Sequence, residues 1–216
     1  MPTEINQERI IEKGLRFRAK LQPPLSHPAV ILIHGWTGDE FSMEVFSRSA
    51  PAGHAQLFPR GPVPATPTGF GWAPLLETTP IPAFKNFLPA CQILNDALEE
   101  LSQDEIAFTP PYRLVGFSQG AAMAAVYASL FPHQVERIAF LSGFLPHTDH
   151  PDTYFGLKTI RFFIAHGQSD AILPVKHGQH ALATLISFNV DVSYCEHSAG
   201  HKVPAECMAK LREFLL

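Results

Sequence analysis

Five residues, Gly116-Phe117-Ser118-Gln119-Gly120, constrain this chain more than any others. The end of a buried strand, Arg113-Leu114-Val115, precedes them, and a run of small and apolar residues from Ala121 to Val126 follows. A serine between two glycines, where a buried strand turns into a close-packed helix, is the pattern of a nucleophile elbow. The sharp turn strains the serine backbone and lifts its hydroxyl above the sheet, and glycine lets strand and helix pack close to that turn. The N–H of Gln119 then points toward the place where negative charge develops on an attacked carbonyl. A serine that only caps the helix is the plainer alternative. The strand before it and the helix after it favour the elbow.

The rest of the chain supplies the sheet that such a turn needs. Residues Leu15 to Leu21 alternate apolar with basic side chains, the period-two signature of a half-exposed strand, expected at a sheet edge with Arg16, Arg18 and Lys20 in water. After a break at Pro23-Pro24, the continuous aliphatic run Ala29 to Ile33 reads as a central parallel strand covered on both faces. From about 55 to 82 a strand gives way to a loop stiffened by prolines. Phe84, Phe87, Leu88, Cys91, Leu94, Leu98 and Leu101 then fall at helical spacing, opposite Lys85, Asn95, Glu99 and Glu100. Beyond the elbow, strands are expected at 138–141, 159–165 and 190–195, with helices at 175–188 and from Pro204 onward. Alternating strands and helices with short connections predict an α/β fold, with 1–216 as a single domain.

The formal charge of -4 is mild and spread out, which gives no electrostatic footprint for nucleic acid. No stretch approaches the length of a membrane span, so stable membrane insertion is not expected. The first nine residues carry both charge signs and lack the apolar core of a secretory signal. Cys91, Cys195 and Cys207 are far apart and odd in number, which reads as buried free thiols in a reducing compartment. A cytoplasmic location is the resulting expectation. The eleven histidines show no His-Glu-x-x-His helix and no paired-cysteine set, so neither a metal nor another cofactor is expected.

A serine hydroxyl needs a base near neutral pH, and the base needs a partner that sets its tautomer. In this architecture the order along the chain is serine, acid, histidine. Asp170 follows a buried strand, and His201 lies in the loop after the next one, so both fall at the sheet edge that carries Ser118. The assignment is Ser118 as nucleophile, His201 as general base and Asp170 as its orienter, with His197 in the same loop as the competing histidine. The loop His34 to Glu40 follows the central strand and is expected to give the second oxyanion donor, the Trp36 N–H, beside that of Gln119. His34 reads as the residue that orders this loop. Phe70 and Trp72 either line a substrate pocket or pin their loop to the surface, and an exposed aromatic patch there would permit a homodimer.

With these pieces in place, the chain resembles the α/β-hydrolase superfamily, and within it the phospholipase/carboxylesterase family of small bacterial carboxylesterases and acyl-protein thioesterases. The resemblance rests on His34-Gly-Trp-Thr-Gly-Asp-Glu40, Pro59-Arg-Gly-Pro62 with Gly71-Trp72, the elbow, Leu141-Ser-Gly-Phe-Leu-Pro146, His166-Gly-Gln-Ser-Asp170 and Gly200-His201. It implies a mostly parallel sheet with helices on both faces, no large cap domain, and a small-molecule ester as substrate. It also supports Ser118, Asp170 and His201 as the triad, with Trp36 and Gln119 as oxyanion donors. Thioester or lysophospholipid hydrolysis uses the same machinery, and a non-catalytic binding protein on the same scaffold is the alternative of another class. Trp36 stands where relatives carry a smaller residue, and Ala73 where an aromatic is common, which bears on acyl preference rather than on the triad.

Overall fold

The computed structural model describes residues 7–21, 27–75 and 81–216. The expected break at Pro23-Pro24 and part of the expected loop, 76–80, lie outside them. In chain order the first half holds β1 (Gln7–Lys13), β2 (Leu15–Leu21), β3 (His27–Ile33), α1 (Glu44–Ser47), β4 (His54–Pro59), β5 (Val63–Pro64), β6 (Phe70–Gly71) and α2 (Phe84–Asp104). The second half holds β7 (Tyr112–Phe117), α3 (Gln119–Leu130), β8 (Val135–Leu141), β9 (Arg161–Gly167), α4 (Lys176–Ser187), β10 (Val192–His197) and α5 (Ala205–Leu215).

Eight strands form one sheet in the order β1-β2-β4-β3-β7-β8-β9-β10. β1 and β2 run antiparallel to their neighbours, and the pairings from β4 to β10 are parallel. The aliphatic run in β3 explains its central place, because successive side chains of a strand point to opposite faces. Ile31 and Ile33 join the core that α2, α3 and α4 cover, whereas Val30 and Leu32 join the one that α1 and α5 cover. Fully burying each such side chain contributes roughly 1.5–3 kcal/mol. A polar residue in the middle of this run would therefore disrupt one face or the other.

The edge expectation for β2 is corrected. β1 pairs along its whole length and takes the edge instead, while β4 flanks β2 on the other side. The basic side chains of β2 also do not simply face water. Arg16 donates to Glu40 at 2.8 Å, and Arg18, only 4% exposed, is bonded to Glu44 and stacked on Phe58. Alternation in sequence gave the strand, but Glu40 and Glu44 from the connection between β3 and β4 cover the face assigned to solvent.

The helix α2 matches its apolar stripe except at two positions. Leu88 is 38% exposed, and Asn95, placed on the polar side, is buried with hydrogen bonds to Glu99 and Gln134. α3 is apolar all round and buried from Gln119 to Ala128. That burial requires small residues, since the helix lies directly on β7 and β8 and packs against α2. Gly116 and Gly120 permit the closest approach. A Cβ on Gly116 would fall against the Gly120 carbonyl and Ala121 Cα, and one on Gly120 against the Ile33 and His34 carbonyl oxygens. Backbone atoms cannot swing aside as a flexible side chain could, so glycine is required at both.

Candidate active site

The chain leaves β3 for β4 on one side of the sheet and later returns to β7 on the other. A crevice at the carboxyl ends of two strands whose connections diverge is where open α/β sheets bind ligands. β3 and β7 pair with Ile33 opposite Gly116, so the loops that follow them emerge side by side. A Cβ built on Gly35 would lie 3.2 Å from that of Ser118.

Ser118 occupies the turn between β7 and α3 with φ 56 and ψ -119. A non-glycine residue in that region is strained by about 1–3 kcal/mol, and it persists only where its surroundings over-determine it. The Ser118 N–H donates to the Leu141 carbonyl at 2.9 Å, and the Ser118 carbonyl accepts from Ala121 at 3.0 Å. The next N–H, that of Gln119, sits at the start of the helix and donates to no protein group among the described residues.

The orientation of the Trp36 N–H follows from the peptide plane. The Gly35 carbonyl accepts from His34 Nδ1 at 2.7 Å and from the Gly38 N–H at 3.1 Å. Because the peptide is planar and trans, pinning that oxygen turns the Trp36 N–H to the opposite side. It too donates to no protein group among the described residues. His34 Nε2 accepts from the Gly61 N–H at 2.9 Å, so the ring carries its proton on Nδ1. Burial lowers the His34 pKa and keeps the ring neutral. The loop-ordering role expected of His34 has this geometry.

His201 and Asp170 meet behind the crevice. His201 Nδ1 donates to Asp170 Oδ2 at 2.7 Å, leaving Nε2 without a protein partner among the described residues. Asp170 Oδ1 accepts from the Ile172 and Leu173 N–H groups at 2.9 and 2.8 Å, and the carboxylate is fully buried. Burial alone would raise its pKa. The bonds from His201 and the two backbone groups outweigh that and hold the carboxyl below the ordinary range. His197 is also buried, but neither of its nitrogens has a partner among the described residues, and His201 takes the carboxylate. No hydrogen bond links Ser118 to His201 in this structure, although both line the same cavity. Such contacts often tighten only once substrate is bound.

The cavity has two lobes that meet at Gly35, Trp36, Phe117 and His201. The larger, about 570 Å³, adds Ser118, Gln119, Leu75, Ile81, Phe144, Ile172, Leu173, Pro174 and His177. The smaller, about 380 Å³, adds Thr37, Gly38, Ser42, Met43, Val45, Phe46, Lys202 and Val203. Phe70 and Trp72 line neither. Phe70 lies under the Arg60 guanidinium at 4.6 Å, and Trp72 is fully buried behind the site. The aromatic patch suggested for a homodimer is therefore not at Trp72. The apolar walls went unread in the sequence, although Ile172-Leu173-Pro174 directly after Asp170 was a usable signal.

The cysteine reading is corrected as well. Cys195 of β10 and Cys207 of α5 form a disulfide, with their Cα atoms 6.0 Å apart, and only Cys91 is free. Parity counted three thiols but could not see that β10 and α5 pack together. The cysteines thus lend no support to a reducing compartment. Among the described residues, a cluster of metal-ligand types forms at Cys195, Glu206 and Cys207, but both its sulfurs are in the disulfide.

Glu40, in the loop after β3, is fully buried and accepts from Arg16 at 2.8 Å and twice from Arg60 at 2.6 Å. Burial pushes its pKa up, and the Arg60 and Arg16 bonds pull it down further. For Glu40 and Asp170 alike, a folded-state pKa below the unfolded one gives stability that is complete above about pH 4. That stability is lost as pH falls through the folded-state values. Thermal melts should show Tm dropping steeply below about pH 4, and Glu40→Gln should start lower at pH 6 but lose less on acidification.

The sheet order, the elbow after β7 and the paired loops at the carboxyl edge define an α/β-hydrolase fold. The sequence profile of the phospholipase/carboxylesterase family matches residues 22–216, and the chain belongs to that family. Solved structures share the fold. The carboxylesterase from Mesorhizobium loti superposes with a TM-score of 0.80 at 20% identity, covering 96% of this chain and 98% of that one. The Bacillus cereus carboxylesterase gives 0.77 at 17% identity over 93% of each chain, and esterase PE8 gives 0.74 at 23% over 91% and 95%. No curated protein matches by sequence.

Proposed function

We propose that this member of the family is a serine carboxylesterase that hydrolyses small-molecule carboxylic esters through an acyl-enzyme. The observation that carries the reading is the His201–Asp170 bond, which leaves Nε2 without a partner among the described residues while His201 lines the cavity that Ser118 also lines. His201 takes the Ser118 proton as the oxygen bonds to the ester carbon, and the Trp36 and Gln119 N–H groups receive the oxyanion. Collapse breaks the bond to the leaving alcohol, which departs with the proton from His201. Water then repeats the sequence on the acyl-enzyme, releasing the acid and restoring Ser118.

The acyl group belongs in the larger lobe, because that lobe contains both Ser118 and Gln119 and has mostly apolar walls. The leaving alcohol belongs in the smaller lobe, beside His201. The larger volume falls within the usual range for small-molecule sites and suits small to medium acyl chains.

An alkyl fluorophosphonate tests the reading directly. One equivalent should label the protein, peptide mapping should place the label on Ser118, and hydrolysis of p-nitrophenyl butyrate should stop in proportion. Labelling at another residue, or full activity after Ser118 is modified, would overturn the proposal. Running acyl-CoA and lysophospholipid beside the ester separates the thioesterase and lysophospholipase readings from this one.

A further inference from the structure

We infer that Trp72 is a positioning residue that ties the two oxyanion donors together, so that neither donor peptide is set independently of the other. The inference rests on the oxyanion assignment above. Gln119 supplies one donor through its backbone, and its side chain reaches away from the cavity into the segment after β6. Its Oε1 accepts from the Trp72 N–H at 2.8 Å, and its Nε2 donates to the Ala73 carbonyl at 2.8 Å. Trp72 in turn donates its indole Nε1–H to the His34 carbonyl at 2.8 Å, and its ring packs on the His34 imidazole with centroids 5.2 Å apart. His34 then fixes the Gly35 carbonyl, and with it the Trp36 N–H.

The path therefore runs from donor to donor through three side chains, Gln119, Trp72 and His34, which are 2%, 0% and 1% exposed. The bonds that Gln119 and Trp72 make are buried, so water cannot replace one that breaks, and an orphaned partner bears its full desolvation cost. No part of this path belongs to the nucleophile, base or acid. Its effect is on where the two N–H groups point, and a donor displaced by about an ångström can cost on the order of a hundredfold in rate.

The test replaces Trp72 with Phe, which keeps an aromatic ring but removes the indole donor, and Gln119 with Met, which keeps length and the backbone N–H but removes both side-chain bonds. With p-nitrophenyl butyrate, each variant should lose about ten- to a hundredfold in kcat with KM changed by less than about twofold. Inhibition by an alkylboronic acid, whose tetrahedral adduct bears a negatively charged oxygen, should weaken by the same factor as kcat. The double variant should lose little more than the worse single one, because both break one path.

A purely structural role would lower Tm and leave the boronate constant and kcat in the folded protein unchanged. That outcome, or full additivity in the double variant, would overturn the inference. If Trp72→Phe does not fold, Gln119→Met carries the same measurements from the other end of the path. The parent protein and Ser118→Ala run alongside. An inactive parent, or a Ser118 variant as active as the parent, would sink the esterase reading. A normal pair of controls with unaltered kcat in Trp72→Phe and Gln119→Met would sink only the brace.

Discussion

Ser118→Ala should lower kcat for p-nitrophenyl butyrate by about four to six orders of magnitude. Without the hydroxyl there is no acyl-enzyme, and the base has no proton to take. What remains is the smaller acceleration supplied by binding and the two backbone donors. Stability should not fall, because alanine meets the same positive-φ strain as serine and the Ser118 side chain makes no hydrogen bond among the described residues. A steady-state assay and a thermal melt of the same preparation check both halves. Activity within about tenfold of the parent would show that another group is the nucleophile.

Asp170→Asn should cost about 10⁴-fold in kcat while leaving the fold intact. The carboxamide oxygen can keep accepting from the Ile172 and Leu173 N–H groups, so the turn retains its bonds. Its nitrogen then faces His201 Nδ1, where Asp170 Oδ2 had accepted at 2.7 Å. Two donors cannot share that contact, so His201 must move its proton to Nε2, the atom that has to be bare to act as a base. The variant should bind an unreactive ester analogue as the parent does, which isolates the loss to kcat. A variant that kept most of its activity would remove Asp170 from the assignment.

Much of this arrangement was legible in the sequence, and what was missed has definable causes. The buried strands were readable because β3 carries the continuous aliphatic run Ala29 to Ile33, which only a doubly covered sheet accommodates, and β7 carries Leu114-Val115 directly before the elbow. Ser118, Asp170 and His201 were readable as a set because each stands just beyond a strand and all point to one sheet edge. β1 was not foreseen. Gln7 to Lys13 has only two aliphatic residues among its charges, and an edge strand needs no more. Trp72 shows the limit most clearly. An aromatic in a loop rich in glycine and proline announces an anchor, but whether it faces substrate or backbone depends on partners 38 and 47 residues away. The disulfide was hidden for a similar reason, since cysteine parity carries no information about which helix docks on which strand.

That disulfide makes the stretch from Cys195 to Cys207 a closed covalent ring, with His201 on its perimeter. No residue of α5 lines either lobe, yet the helix is shackled to the segment that carries the imidazole. Were the ring opened by reduction, α5 and the segment that carries His201 would be joined by noncovalent contacts alone apart from the chain itself. Preparations with the ring closed and with it open are thus two chemical forms of one chain, and their turnover numbers belong on separate axes.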